Sequence, residues 1–247
     1  MKLLDLTLPA PAENLACDEA LLESCEDGIG EGVLRFWESA KHFIVVGYAN
    51  KVAPEVNVSA CATKGISVCR RCSGGGTVVQ GPGCLNYTLV LKITEDGPLR
   101  CITSANRFIM ERNRAAIESL YSKSETRDPE PKIAIRGHTD LCLGDLKFSG
   151  NSQRRHKNFL LFHGTFLLNF DLELVSEVLR MPAKQPEYRK RRTHAKFLVN
   201  LNMPAEKLKA ALQKAWDADS PLKNPPMEKT AVLARDKYAT PEWNQKF

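Results

Sequence analysis

Apolar residues recur along this chain with two periods that take turns. From Pro11 to Glu26, Leu15, Leu21 and Leu22 share one stripe among acidic residues, the spacing of an amphipathic helix. Val33 to Trp37 and His42 to Val46 are short apolar runs across a polar turn and predict two strands. Ala53 to Lys64 predicts a helix closed by Gly65, and Ile66 to Arg71 a strand. Tyr87, Leu89, Leu91 and Ile93 alternate within Asn86 to Ile93, as in a half-buried strand. Ile102, Ala105, Ile109, Ala116 and Ile117 restore the helical period over Leu99 to Leu120.

A polar stretch from Ser122 to Pro131 predicts a loop. Ile133 to Ile135, Asp140 to Leu143 and Leu146 to Ser149 read as a meander of short strands, and Asn158 to Asn169 as a longer one. Asp171 caps a helix that ends before Pro182, and Pro204 to Ala218 predicts a last helix. The division expected is a domain over 1–218 and a tail over 219–247, too short for a further domain. Pro221, Pro225, Pro226 and Pro241 make that tail read as irregular. Strands outnumber helices in the middle and strict βαβ alternation is absent, which argues for a mixed α/β domain and against a doubly wound nucleotide fold.

Composition narrows the class. The chain has 247 residues, 26% of them charged and 43% hydrophobic, which suits one globular domain and excludes coiled coil or global disorder. Its longest apolar runs fall far short of a membrane span, and Asp5 breaks any secretory signal, so a cytoplasmic protein without a membrane partner is expected. In that setting the eight cysteines read as reduced thiols; Cys69 and Cys72 form a CxxC without the second pair a zinc site needs. The net charge of +6 is uneven: residues 3–34 hold eight acidic residues and no basic one. Lys184 to Lys196 holds six basic residues against Glu187, a surplus of five that can face an anion or be a solvated loop.

Four segments carry candidate chemistry. In Arg70-Arg71-Cys72-Ser73-Gly74-Gly75-Gly76-Thr77, three glycines after a strand let backbone N–H groups converge on a ligand beside two arginines. The segment is neither a Walker loop nor a dinucleotide fingerprint. Gly81-Pro82-Gly83 bends the chain so that Asn86 opens the next strand, as a ligand contact or a loop cap. Lys147 precedes Phe148-Ser149-Gly150-Asn151-Ser152; on a strand the two point to opposite faces, and taken alone Lys147 is a surface residue. His163-Gly164-Thr165 lies in an apolar strand, where Gly164 suggests a close approach of backbone or ligand and a lone histidine is more often a satisfied core residue.

Taken in series, these motifs resemble the catalytic domain of lipoate–protein ligases, which is shared with biotin ligases and octanoyl transferases. The resemblance runs from about Leu3 to about Leu201. It implies a mixed, largely antiparallel sheet flanked by helices, distantly like class II aminoacyl-tRNA synthetases. It also implies an ATP-dependent enzyme that joins lipoate to AMP and passes the acyl group to a lysine of an apo lipoyl carrier domain. That carrier would be a 2-oxoacid dehydrogenase E2 subunit, a glycine-cleavage H protein or a specialised lipoate-binding protein.

By the same resemblance, Lys147 is the catalytic lysine, holding the α-phosphate and the acyl carbonyl oxygen where negative charge grows. Arg70 and Arg71 balance phosphate charge, and Gly74, Gly75 and Gly76 lie against the acyl chain with Ser73 beside them. Asn86, Ser149, Gly150, Ser152, His163 and Thr165 line the substrate and nucleotide site. Asp140 lies near the phosphates and can help hold Mg²⁺. The strands around Val78 and Phe166 would form a tunnel for the acyl chain.

The family also holds cysteine-dependent octanoyl or lipoyl transferases that need no ATP. Cys142 is the candidate nucleophile for that alternative, although a buried thiol explains it as well. A basic module without catalysis is a third reading, but the Lys184–Lys196 run lacks interleaved aromatics apart from Tyr188, so no nucleic-acid partner is expected. Many lipoate ligases carry a C-terminal accessory domain; this chain would work alone, use a separate accessory protein, or only transfer from a preformed adenylate.

Overall fold

A computed structural model describes residues 1–29, 31–121 and 132–247. The loop expected over 122–131 lies outside the described residues. The chain begins with β1 (Lys2–Asp5), α1 (Pro11–Ser24), β2 (Val33–Trp37) and β3 (Phe43–Val46). Two short helices follow, α2 (Val52–Glu55) and α3 (Val58–Thr63), then β4 (Ser67–Arg70), β5 (Val78–Gln80) and β6 (Cys84–Lys92). Next come α4 (Ile102–Tyr121), β7 (Ile133–Arg136), β8 (Asp140–Leu143), β9 (Leu146–Arg155) and β10 (Phe159–Leu167). The remainder is α5 (Leu172–Val178), α6 (His194–Phe197), α7 (Ala205–Ala215), β11 (Ser220–Pro221), α8 (Met227–Leu233) and α9 (Pro241–Asn244).

The main sheet has the order β11-β1-β2-β6-β10-β9-β8-β7, and a smaller one the order β4-β3-β5. In the main sheet only the β11-β1-β2 edge is parallel. From β2 onward every neighbour is antiparallel. Leu160, Phe162 and Phe166 of β10 join Leu89 of β6 in one core cluster with Ile109 and Ile117 of α4 and Leu208 and Leu212 of α7. The alternate residues Phe159 and Leu161 pack with Leu21 and Leu22 of α1. Both faces of the sheet centre are therefore covered. That is why β6, whose alternation suggested one wet face, is buried at every position from Cys84 to Leu91.

Three elements depart from the sequence pattern. The helix expected over residues 53–64 is broken, because Val56 is extended and bridges to Leu179, and the Asn57 side chain caps a fresh start by accepting from the Ala60 N–H. β9 runs on to Arg155 instead of stopping at Ser149, because β10 pairs with it in register from Phe166↔Ser149 to Leu160↔Arg155. The tail is not irregular: α8 and the turn after it pack on α1, and α9 packs on β4. Lys237 and Tyr238 there hold Glu19 of α1 with bonds of 2.6 and 2.9 Å.

Candidate active site

A cavity of about 1090 Å³ is lined from both sheets, from α1 and from the basic segment before α6. Along β9, period two sends Phe148 into the core with Phe162 and Phe166, and Lys147 the other way. The Lys147 ammonium lies 2.7 Å from Asp140 Oδ1, both groups less than a quarter exposed. Asp140 Oδ2 accepts from the Tyr188 hydroxyl at 2.7 Å. Gly150, paired with Asp140 across β8 and β9, leaves room for this arrangement: a Cβ there would lie 2.7 Å from Lys147 Nζ. The outcome is a cation near the start of a long strand, aimed into a cavity and fixed by a carboxylate.

The glycine loop is fastened from beneath. Arg71 is buried, and its guanidinium donates to the carbonyls of Gly74 and Gly76 and to Ser73 Oγ. Burial lowers its pKa to about 10, so it stays charged at neutral pH. Ser152 Oγ also donates to the Gly74 carbonyl, at 2.8 Å. At the loop's end, Glu55 accepts from Thr77 Oγ1 and from Asn50 Nδ2.

Deeper in the wall a polar chain crosses the sheet. Ser73 Oγ accepts from Arg71 and shares a 2.5 Å hydrogen bond with His163 Nε2. His163 Nδ1 then donates to Asp18 Oδ2 at 3.2 Å, and Asp18 Oδ1 accepts from Arg35 at 2.6 Å. Burial by itself would raise the Asp18 carboxyl, but Arg35 and the His163 bond outweigh it and hold its pKa below the usual range. Gly164 has a different task. A Cβ there would overlap Asn151 Oδ1, which accepts from the Tyr87 hydroxyl at 2.6 Å. The close approach expected at Gly164 is thus that of the Asn151 side chain.

The structure gathers Arg71, Gly75, Gly76, Asn86, Asp140, Lys147, Ser149, Gly150, Ser152, His163 and Thr165 around one cavity. Ser73 stands behind His163, almost fully buried. Arg70 is elsewhere: its guanidinium donates to the carbonyls of Gly47, Tyr48, Asn50, Trp243 and Asn244, and it is not in the cavity wall. Of the strands expected to form the acyl tunnel, Val78, Val79, Thr165 and Leu167 line the cavity, whereas period two turns Phe166 itself to the opposite face, where it stacks on Tyr87. Asp140, foreseen as a magnesium ligand, has both oxygens engaged, by Lys147 and Tyr188, and among the described residues no three His, Cys, Asp or Glu side chains are grouped to hold a metal, so magnesium there would need substrate phosphates as further ligands.

Sequence reasoning missed Asp18, Glu55, Asn151 and Tyr188 as parts of this site. Asp18 was one acid among eight, and Tyr188 was noted only as the lone aromatic in a basic run; neither carried a spacing signal. None of the eight cysteines, all among the described residues, lines the cavity. Cys142 is buried and donates to the Tyr188 hydroxyl at 3.6 Å; burial pushes its thiol up to about 11.

Fold and site together define an enzyme built on the biotin and lipoate ligase catalytic fold. The chain belongs to the lipoyl protein ligase A/B catalytic domain family, whose model matches residues 10–217. The octanoyltransferase LipM of Geobacillus kaustophilus is 27% identical over 96% of this chain and 94% of its own length. Among solved structures, a bipartite lipoate protein ligase described with its E2 lipoyl domain from Thermoplasma acidophilum is 25% identical, with a TM-score of 0.78 over 99% of this chain and 95% of that one. A lipoate-protein ligase A bound with ATP is 27% identical, with a TM-score of 0.76 over 99% and 98%. No described helix is long and apolar enough to cross a membrane.

Proposed function

We propose that the protein is an ATP-dependent lipoate–protein ligase. A carboxylate oxygen of lipoate attacks the α-phosphorus of ATP and pyrophosphate leaves. A carrier lysine then attacks the acyl carbonyl and AMP leaves. The carrying observation is a cavity that presents the Lys147 ammonium and no cysteine. Lys147 can follow the oxygens that gain charge in both steps, and Asp140 and Tyr188 keep its reach fixed between them. Magnesium, on this reading, arrives with the ATP phosphates. The apo lipoyl carrier is proposed by likeness to the Thermoplasma ligase and its E2 lipoyl domain.

The cavity wall also supports lipoate over octanoate. Trp37 Nε1 and Gln80 Oε1 lie in that wall, are buried, and have no partner among the described residues. A ring sulfur can accept from the indole N–H, weakly, whereas a methyl end leaves it unpaired.

The likeness to an octanoyltransferase gives a second reading, transfer through Cys142 without ATP. The two separate in one assay: apo lipoyl domain with lipoate or octanoate, with and without Mg-ATP, followed by intact mass. Lipoyl addition that requires ATP is expected. Addition from an octanoylated carrier without ATP, lost in Cys142→Ser, would establish the transferase instead. Lys147→Ala should lower the adenylation rate by about 10²–10³-fold, the scale of a lost transition-state charge contact; unchanged pyrophosphate release would remove its role.

A further inference from the structure

We infer that the C-terminal helix α9 is a positioning element for the glycine loop, acting through Arg70. The connection is a chain of bonds. Trp243 and Asn244 offer their carbonyls to Arg70 Nε and Nη2, both at 3.0 Å. Asn244 Oδ1 accepts from the Arg70 backbone N–H at 2.8 Å, and the Trp243 indole donates back to the Arg70 carbonyl at 2.8 Å. Arg70 Nη1 in turn gathers the carbonyls of Gly47, Tyr48 and Asn50 at 2.9, 3.0 and 2.7 Å. That segment holds the glycine loop directly: the Tyr48 N–H donates to the Ser73 carbonyl at 2.8 Å, and Asn50 Nδ2 to the Gly75 carbonyl at 3.0 Å.

Arg70 is fully buried, and a planar fork suits it to bridge two backbone segments at once. Each carbonyl it gathers would otherwise need another donor. Arg71 fastens the loop from within the cavity, and Arg70 fastens the segment that holds it from outside. The adjacent arginines thus divide the work: one organises the loop, and the other ties its support to the end of the chain. Trp243 and Asn244 do not line the cavity, so they are positioning residues and not catalytic ones.

The test uses the full chain with Trp243→Phe and Asn244→Ala together, which removes the indole and amide bonds to Arg70 and keeps the aromatic ring. Hydrogen exchange should quicken about tenfold at the Tyr48 and Asn50 amides, the scale of one lost hydrogen bond, while the amides of β6 and β10 keep the wild-type rate. Lipoate affinity by calorimetry should fall several-fold, with the melting temperature within a few degrees of wild type. Should the pair not fold, Asn244→Ala alone carries the same expectation at reduced size. Unchanged exchange at Tyr48 and Asn50 would overturn the inference, as would an equal acceleration in β6 and β10, which marks a general stabiliser. Faster local exchange with unaltered lipoate affinity would also overturn it. The affinity measurement rests on the ligase reading, and the exchange measurement does not. Wild-type protein that binds no lipoate would therefore defeat that reading and leave exchange to decide the attachment.

Discussion

At the scale of single residues, Asp18 carries more than its neighbours. It stands between the buried Arg35 and His163, and the Arg35 guanidinium also donates to the Leu6 and Asn14 carbonyls and Asn14 Oδ1. Asp18→Asn keeps the shape and leaves a buried guanidinium without its carboxylate, a change that costs about 3–5 kcal/mol in comparable buried pairs. Urea unfolding at pH 7 should register that loss. The pH dependence follows from the sign of the shift. The folded pKa lies below the ordinary 3.8, so the contribution is whole above about pH 4 and is lost as pH falls through the lower folded value. Asp18→Asn should flatten that acid limb. An acid limb equal to wild type would mean that other carboxylates govern it. Lipoate affinity should fall as well, because His163 loses the acceptor that fixes its ring.

At the scale of elements, the basic segment holds together through His194 at the start of α6. Its Nε2 donates to the Arg180 carbonyl, and its Nδ1 accepts from the buried Arg189. Burial chiefly lowers its pKa from 6.5, the nearby Arg189 charge adding to the shift. A base held neutral by the fold contributes stability above its unfolded pKa, and the contribution is lost as pH falls below 6.5 toward the folded value. Unfolding free energy should therefore drop between pH 7 and about pH 5.5, and His194→Gln, which bonds without titrating, should remove that slope. This segment also shows what the sequence could and could not reveal. Strands with strong alternation, such as Asn86 to Ile93, and the long helix before residue 122 were legible because burial imposes a period. Lys147, Gly75 and Gly76 could be picked out because the motifs occur in series, and they line the cavity, whereas Gly74 does not. Arg70 was misread, since its neighbour in sequence faces the cavity and only the fold assigns the two guanidiniums to different carbonyls. The helical tail was hidden because its prolines open and separate helices instead of dissolving them: Pro226 precedes α8 and Pro241 begins α9.

At the scale of the whole molecule, the charge surplus resolves into a neutralised face and an open one. Every acid between Asp5 and Glu31 has a partner in the fold: Asp5 with Lys209, Glu13 with the Ala10 N–H, Asp18 with Arg35, Glu19 with Lys237, Glu23 and Asp27 with Lys229, Glu26 with the Phe159 N–H, and Glu31 with Lys2. The basic run is different. Arg189 and Arg192 turn inward, stack on Phe197 and bond carbonyls including those of Tyr188 and Asp145. Lys184, Lys190, Arg191 and Lys196 are exposed, and their side chains have no partner among the described residues. Lys190 and Arg191 are both left-handed, with φ of 50° and 56°, a conformation that non-glycine residues hold only when their surroundings impose it. The inward arginines bracket the turn on either side. A cationic turn beside Lys184, which lines the cavity, would favour a carrier whose docking face is acidic. Lys190→Glu with Arg191→Glu should raise KM for the carrier by about tenfold at low salt, and the difference should shrink as ionic strength rises and the screening length falls toward about 8 Å. The turnover number and the KM for ATP in pyrophosphate release should hold near wild type. A matching rise in the KM for ATP would assign the turn to the triphosphate, and no change in either constant would make it a solvated loop after all.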